Sequence, residues 1–308
     1  MVLALVLAEI VARLASSTFS PQQWTKLEQF SSVREGSAFV IDPEMGFRPV
    51  LGYREHEGRE VYSRYGTIKN EYSLRKPPGI RRVLFLGDSV TARGAIVKAL
   101  RKAYGDQGIE YWNAGVESFN TRQEVEFYRR FNFQIDPDQV VLTLHINDFQ
   151  VTPVAFVDED GLLKVYSPNR SLTGWQRFLF HHSALYRHFQ ALLLTQNEPF
   201  VEAATEVRNA LRQLQGLLGD EVRLDVLIFP VLKQGEEWTQ REQRAGQAAL
   251  EICQDLQLQC FDLTPLMFQR LEAGKAVRQR PKDIWHPNED FAREIAAYLH
   301  NEGLLAPF

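Results

Sequence analysis

Residues 81–91 read RRVLFLGDSVT, and they decide the architecture expected for this chain. The run 83–86 is continuously apolar, which is typical of a strand buried on both faces of a parallel sheet. Gly87 and Asp88 end the run, so Ser89 is predicted to follow the carboxyl end of the strand, where open α/β sheets bind ligands. Gly-Asp-Ser is also common in ordinary turns. On these residues alone, Ser89 is either a turn residue or a nucleophile.

Strands and helices alternate from residue 81 onward. Further strands are predicted at residues 109–113, 139–145, 222–231 and 259–262. Helices are predicted at residues 95–104, from Thr121 onward, at 236–257 and at 288–300. Thr121 and Glu124 match a capping box, with Thr121 as the cap. Five strands separated by helices predict an α/β fold with a parallel sheet covered on both faces.

The rest of the chain divides into an insert and an N-terminal part. The insert, residues 150–220, is expected to form a lid or a wall of the substrate site. Its predicted elements are a hairpin with its turn at 158–161 and helices at 175–194 and 200–218. Residues 18–80 show no strong period and are expected to form an extension that packs on a catalytic domain of residues 81–308.

Residues 1–17 begin with an apolar stretch interrupted only by Glu9 and Arg13. On a helix these two side chains lie four residues apart and can pair. The stretch is shorter than the roughly 20 residues that span a bilayer. It is therefore either part of a truncated membrane anchor or an amphipathic helix packed on the domain. We favour the anchor, which implies membrane association and an extracytoplasmic, periplasmic location; a cytoplasmic location stays open.

The composition excludes several classes of protein. The chain has 308 residues, 44% hydrophobic and 24% charged, as expected for a globular protein. Its net charge of -4 argues against nucleic acid as a partner. The two cysteines, Cys253 and Cys260, are too few for a disulfide scaffold or a four-cysteine zinc site. We expect them to be buried thiols, although a disulfide is feasible outside the cytoplasm. No metal and no cofactor are expected.

Chemistry-bearing residues follow three of the predicted strands and precede the last helix. Acyl transfer by Ser89 needs a base and a group that orients that base, and His286 and Asp283 can fill these roles. The tetrahedral intermediate needs hydrogen-bond donors. The backbone N–H groups of Ser89 and Gly115 and the side-chain amide of Asn147 can supply three.

The blocks GDSV, NAG, HIND and DIWHPN together resemble those of the SGNH or GDSL hydrolase family, over about residues 81–303. The resemblance implies a flavodoxin-like sheet with Ser89 as nucleophile and Asp283 with His286 completing the triad. It also implies that Gly115 and Asn147 belong to the oxyanion hole. The order of an apolar helix, an extension and this domain looks like membrane-tethered members found beside bacterial envelope polysaccharide systems.

One block departs from the family pattern, because His145 stands where Gly-x-Asn-Asp has glycine. We expect His145 to lie in the core or the pocket wall rather than to take part in catalysis. Trp285 and Asp88 are further candidates for the pocket. Asp88 is expected to stabilise the turn, and Asp148 to make structural hydrogen bonds.

The function predicted from these residues is a serine esterase that removes acetyl or another short acyl group from a carbohydrate. A first alternative is an O-acetyltransferase, in which a sugar hydroxyl rather than water takes the acyl group from the enzyme. A second is a non-catalytic glycan-binding or assembly protein with the same fold. The triad does not separate the first two, because they differ only in the acceptor.

Overall fold

The computed structural model describes residues 2–15, 24–26, 38–54, 61–68, 72–105, 108–157, 163–166, 172, 174–192 and 200–304. The strands within these ranges are β1 (Trp24–Lys26), β2 (Phe39–Asp42), β3 (Gly46–Pro49), β4 (Arg81–Leu86), β5 (Ile109–Asn113), β6 (Gln139–Leu144), β7 (Val154–Val157), β8 (Leu163–Tyr166), β9 (Arg223–Ile228) and β10 (Gln259–Asp262). The helices are α1 (Val2–Ala15), α2 (Ser89–Ala92), α3 (Ala95–Tyr104), α4 (Thr121–Arg130), α5 (Gly174–His182), α6 (Ala184–Leu192), α7 (Phe200–Leu218), α8 (Gln240–Asp255), α9 (Thr264–Glu272) and α10 (Glu289–Asn301).

Five strands form the predicted parallel sheet, in the order β10-β9-β6-β4-β5. Counted along the chain, this is the flavodoxin-like order 2-1-3-4-5, so the predicted fold is confirmed. The strand order reverses between β4 and β6, and ligands bind at such a switch point beyond the carboxyl ends of the strands. Ser89 follows β4 and Asn147 follows β6, so the fold brings both to this crevice.

The core lies on both faces of the sheet, which explains the continuous apolar run in β4. Val83 and Phe85 pack in one cluster with α3 and α10, whereas Leu84 and Leu86 pack in a second cluster with α7 and α8. All four side chains are almost completely buried. Burial of each such side chain contributes roughly 1.5–3 kcal/mol, so the strand before Ser89 is firmly held.

The N-terminal extension packs against α4. Strands β2 and β3 form an antiparallel hairpin, and Phe39, Phe47, Phe119 and Phe127 share one aromatic cluster. Strand β1 pairs with β8, which with β7 forms the hairpin predicted in the insert. The predicted turn of that hairpin, 158–161, lies outside the described residues.

Several predicted boundaries are wrong. The cap of α4 is Asn120 rather than Thr121, and its partner in the capping box is Gln123. The predicted helix 175–194 is broken at Ser183, whose hydroxyl accepts the N–H of Tyr186 and so starts α6. Strands β6 and β9 are shorter than predicted. Helix α8 begins at Gln240 because Thr239 caps it.

Cys253 and Cys260 form a disulfide that joins α8 to β10. The expectation of two buried thiols is therefore wrong. Strand β10 pairs with β9, and residues of α8 and Cys260 pack in the same hydrophobic cluster. The end of α8 therefore lies beside β10, and the two cysteines, seven residues apart, can form the bond. This was the alternative that the spacing allowed.

Helix α1 confirms the predicted pairing of Glu9 with Arg13, at 2.8 Å. The carboxylate of Glu9 also accepts the N–H groups of Ala184 and Leu185, so it caps the start of α6. The apolar side chains of α1 are mostly exposed. Among the described helices, α1 included, none combines the length and apolar character needed to cross a membrane.

Candidate active site

Ser89, His286 and Asp283 form a hydrogen-bonded chain, although 197 positions separate Ser89 from His286 along the sequence. Nε2 of His286 lies 3.0 Å from Oγ of Ser89. Nδ1 of His286 lies 2.8 Å and 2.9 Å from the two carboxylate oxygens of Asp283. Since a carboxylate only accepts hydrogen bonds, the Nδ1 atom carries the proton. The lone pair on Nε2 is therefore free to accept the proton of Ser89.

Helix α2 holds Ser89 just beyond the carboxyl end of β4. Asp88 caps the helix by accepting the N–H of Val90 at 2.8 Å, which is the turn-stabilising position expected for it. The hydroxyl of Thr91 bonds that of Thr143 in β6 at 2.9 Å. Ser89 is the first residue of α2, where backbone N–H groups have no partner within the helix. The N–H of Ser89 therefore has no hydrogen-bond partner within α2.

The electrostatics of the site suit a base at neutral pH. Burial lowers the pKa of His286 below its ordinary value, the charge of Arg93 lowers it further, and Asp283 opposes both. Burial would raise the pKa of Asp283, but the hydrogen bonds from His286 and from the N–H of Trp285 outweigh it and the pKa is lowered. Asp283 is therefore ionised and His286 neutral.

Gly115 fits the site because the backbone of α2 packs against it. A Cβ atom at this position would lie 2.3 Å from the backbone nitrogen of Ala92, so any larger residue displaces the helix that carries Ser89. The N–H of Gly115 donates to Oδ1 of Asn113 at 2.9 Å. An oxyanion role for this N–H requires that bond to be shared or exchanged. The position of Gly115 is explained by close packing.

Ser89, Asn147, His145 and Trp285 line one cavity of about 270 Å³, together with Asp88. One N–H of the Asn147 amide donates to the carbonyl of Phe119 at 2.9 Å. The second N–H is available to an oxyanion, since an amide carries two. The structure thus brings Asn147 to the same cavity as Ser89.

His145 and Trp285 form an aromatic wall of this cavity. Their rings meet edge to face with centroids 5.7 Å apart, and Trp285 is 38% exposed. Nδ1 of His145 bonds the carbonyl of Phe229 at 2.9 Å, and Nε2 is buried without a hydrogen-bond partner among the described residues. The ring of His145 therefore fills space in the wall of the cavity and makes no hydrogen bond with Ser89, Asp283 or His286.

No protein-family model matches the chain, and no curated protein sequence matches it. Solved structures are similar to it at low identity. LAE5, an alpha/beta hydrolase enzyme from the metagenome of Lake Arreo, Spain, is 17% identical over 74% of this chain and 97% of its own, with a TM-score of 0.49. The acetyl xylan esterase AlAXEase is 14% identical over 72% and 98%, with the same TM-score. A catalytic mutant of Axe2, an acetylxylan esterase from Geobacillus stearothermophilus, is 15% identical over 74% and 96%, with a TM-score of 0.49.

Arg93 and Glu117 are members of the site that the sequence did not reveal. Arg93 lies four residues after Ser89, and its guanidinium is 3.3 Å from Asp283 and 3.5 Å from Glu117. Arg93 lowers the pKa of His286, whereas Glu117 raises it. Nothing in the sequence pairs Arg93 with a carboxylate 190 residues away.

Replacing Arg93 by methionine is expected to move the acidic limb of the pH–rate profile to higher pH. A nearby cation disfavours the imidazolium, so removing it raises the pKa of His286 and lowers the neutral fraction in mild acid. The profile of kcat/KM for p-nitrophenyl acetate reports this ionisation in the free enzyme. Glu117→Gln is the matched control, and the acidic limb of its pH–rate profile should move to lower pH, because Glu117 raises the pKa of His286. Shifts of the same sign in both variants contradict the assignment.

Two buried carboxyl groups lie behind the site, on α4 and after β6. Burial and the charge of Asp88 raise the pKa of Asp148 to about 8, despite hydrogen bonds from the N–H of His145 and from Thr121. Asp148 thus makes the structural hydrogen bonds expected of it. Burial, reinforced by Asp148 and Asp88, also raises the pKa of Glu124, and neither oxygen of Glu124 has a hydrogen-bond partner among the described residues.

These groups predict that the protein loses stability as the pH rises. Because the pKa of each carboxyl group is raised in the folded state, the unfolded chain releases the proton at a lower pH than the folded protein does. Between the unfolded and the folded pKa values, each group therefore lowers the free energy of unfolding by about 1.4 kcal/mol for each unit of rising pH. Glu124→Gln should therefore raise the free energy of unfolding in urea at pH 8 more than at pH 5. Glu126→Gln, on the same helix, is the control. An equal effect of Glu124→Gln at both pH values contradicts a buried neutral carboxyl group.

Proposed function

We propose that this protein is a serine esterase that hydrolyses short acyl esters, acetyl above all, of a carbohydrate. The observation that carries the proposal is the 3.0 Å contact between Nε2 of His286 and Oγ of Ser89, with Asp283 on the other ring nitrogen. A histidine that only capped a helix, or a serine that only formed a turn, would not need to make these two hydrogen bonds. The pKa of His286 is lowered, so the ring is neutral when it must accept a proton.

The reaction runs through an acyl-enzyme in two balanced halves. Oγ of Ser89 attacks the ester carbonyl while Nε2 of His286 takes the hydroxyl proton, and the resulting oxyanion accepts hydrogen bonds from the Ser89 N–H and the Asn147 amide. Collapse breaks the ester bond, and the imidazolium gives its proton to the leaving alcohol. Water then attacks the acyl-serine, His286 takes a proton from that water, and the carboxylic acid leaves as Ser89 is restored.

The lining of the cavity supports a short acyl group and a polar alcohol. Polar side chains from several elements line the same cavity as Ser89, including those of Asn120, Asn147 and Gln150. Apolar side chains line the same cavity, among them those of Ile146, Val151 and Pro153, and they can contact a small acyl group.

We further propose that the protein works outside the cytoplasm, on envelope or extracellular carbohydrate. The disulfide between Cys253 and Cys260 supports this location, because disulfides persist in oxidising compartments. The exposed apolar side chains of α1 support contact with a membrane surface.

Covalent labelling tests the proposal directly. A fluorophosphonate should add one label to the wild-type protein, and peptide mass spectrometry should place it on Ser89; Ser89→Ala should take up none. The same preparation should release acetate from acetylated xylan and from p-nitrophenyl acetate. Absence of both labelling and acetate release contradicts the proposal. Release of acetylated sugar instead of acetate, when free oligosaccharide is added, favours the acetyltransferase.

A further inference from the structure

A small second cavity, of about 30 Å³, lies between the carboxyl ends of β6 and β9 and helix α8. All of its lining residues are buried or half-buried, and most of them are apolar: Leu144, Ile146, Phe149, Ile228, Phe229, Pro230, Val231, Ala245 and Ala249. Glu242 also lines it, with its carboxylate paired to Lys233 at 2.9 Å. We call this cavity the apolar chamber. Its volume is enough for roughly two water molecules, so the chamber alone accommodates no acyl chain.

The ring of His145 lies between the apolar chamber and the cavity that Ser89 lines, here called the Ser89 cavity. His145 lines both spaces. Its ring meets Phe229, which lines only the chamber, and Trp285, which lines only the Ser89 cavity, edge to face with centroids 5.7 Å apart in each case. The hydrogen bond from Nδ1 to the carbonyl of Phe229 fixes the ring in this position. The imidazole is therefore a partition between the two spaces.

The two halves of an ester substrate need different surroundings. The alcohol of a carbohydrate chain continues into further sugar units, so it has to extend towards solvent, whereas the acyl group can end inside the protein. Within the wall of the Ser89 cavity, Trp285 is 38% exposed and His145 is 5% exposed. The buried side of the cavity, where His145 lies, is therefore the side that suits the acyl group.

We propose that His145 limits the length of the acyl group that the protein accepts. The ring stops a chain that grows from the ester carbonyl at Ser89, and a small side chain at position 145 opens the apolar chamber to it. The inference rests on the proposed esterase function and adds the residue that selects a short acyl group. His145 acts by filling space, because apolar surface of the chamber becomes available to further methylene groups only when the ring is removed.

The acyl-length preference of His145→Ala tests the proposal. The ratio of kcat/KM for p-nitrophenyl butyrate to that for p-nitrophenyl acetate should rise about tenfold over the wild-type ratio, as expected when two further methylene groups are buried. His145→Phe keeps a ring at the partition but loses the hydrogen bond to Phe229, so it should keep the wild-type ratio. Since each ratio is measured within one protein, a loss of folded protein in a variant cancels.

Val151→Ala is the matched control, because Val151 lines the Ser89 cavity but not the apolar chamber. An unchanged ratio in His145→Ala, or an equal rise in Val151→Ala or His145→Phe, overturns the role of His145 and leaves the esterase standing. Equal values of kcat/KM for the two esters in the wild-type protein overturn it without any variant. No turnover of either ester, together with no fluorophosphonate label on Ser89, overturns the esterase and the acyl-length role with it.

Discussion

Ser89→Ala is expected to lower kcat for p-nitrophenyl acetate by about 10⁶-fold, and His286→Ala by a similar factor. The alanine at position 89 leaves no oxygen to form the acyl-enzyme, and without His286 the serine keeps its proton. The 3.0 Å contact between the two makes them act as one unit. The double variant should therefore be no slower than either single variant, measured by absorbance of released p-nitrophenol.

Ser118→Ala provides the matched control, because Ser118 lines the same cavity as Ser89 but contacts no member of the triad in the described structure. Its activity should stay close to that of the wild-type protein. Losses that multiply in the double variant of Ser89 and His286 contradict a single catalytic unit. A large loss in Ser118→Ala would place the chemistry elsewhere in the cavity.

The sheet could be predicted because its signals are local. Strands β4 and β6 contain continuous apolar runs, and the β4 run needs no alternation because it is buried on both faces. The errors lie mostly where a helix or strand begins or ends, because a single capping hydrogen bond can determine the first residue of a helix. Asn120 caps α4 instead of Thr121, and both residues are acceptable caps by type. The choice depends on Gln123, which also binds the extension through the carbonyl of Met45.

The site was predicted in part. Ser89, Asp283 and His286 follow from the types of residue that acyl transfer requires, and Asn147 from its place after a strand. The engagement of the Gly115 N–H by Asn113 was missed, because a backbone hydrogen bond leaves no mark on composition or spacing. Arg93 and Glu117 were missed for a related reason. Their effect on His286 depends on a contact between distant segments, which only the fold supplies.

Asp283→Asn is expected to lower kcat by about 10⁴-fold. Asparagine keeps Oδ1, so it can still accept the N–H groups of Trp285 and His286 and hold the loop. Its amide nitrogen, however, donates where the carboxylate accepts. The Nδ1 atom of His286 then loses its proton, Nε2 gains one, and the ring no longer accepts from Ser89.

Two measurements separate this loss of orientation from unfolding. The Asp283→Asn variant should keep the wild-type midpoint of urea unfolding within the change seen for Asp290→Asn, an exposed carboxylate at the start of α10. Fluorophosphonate labelling of Ser89 should slow in parallel with kcat, because both need the proton on Ser89 to be removed. If the Asp283→Asn variant keeps about a tenth or more of the wild-type kcat, Asp283 does not fix the tautomer. The 2.8 Å contact with Nδ1 would then serve to hold the loop alone.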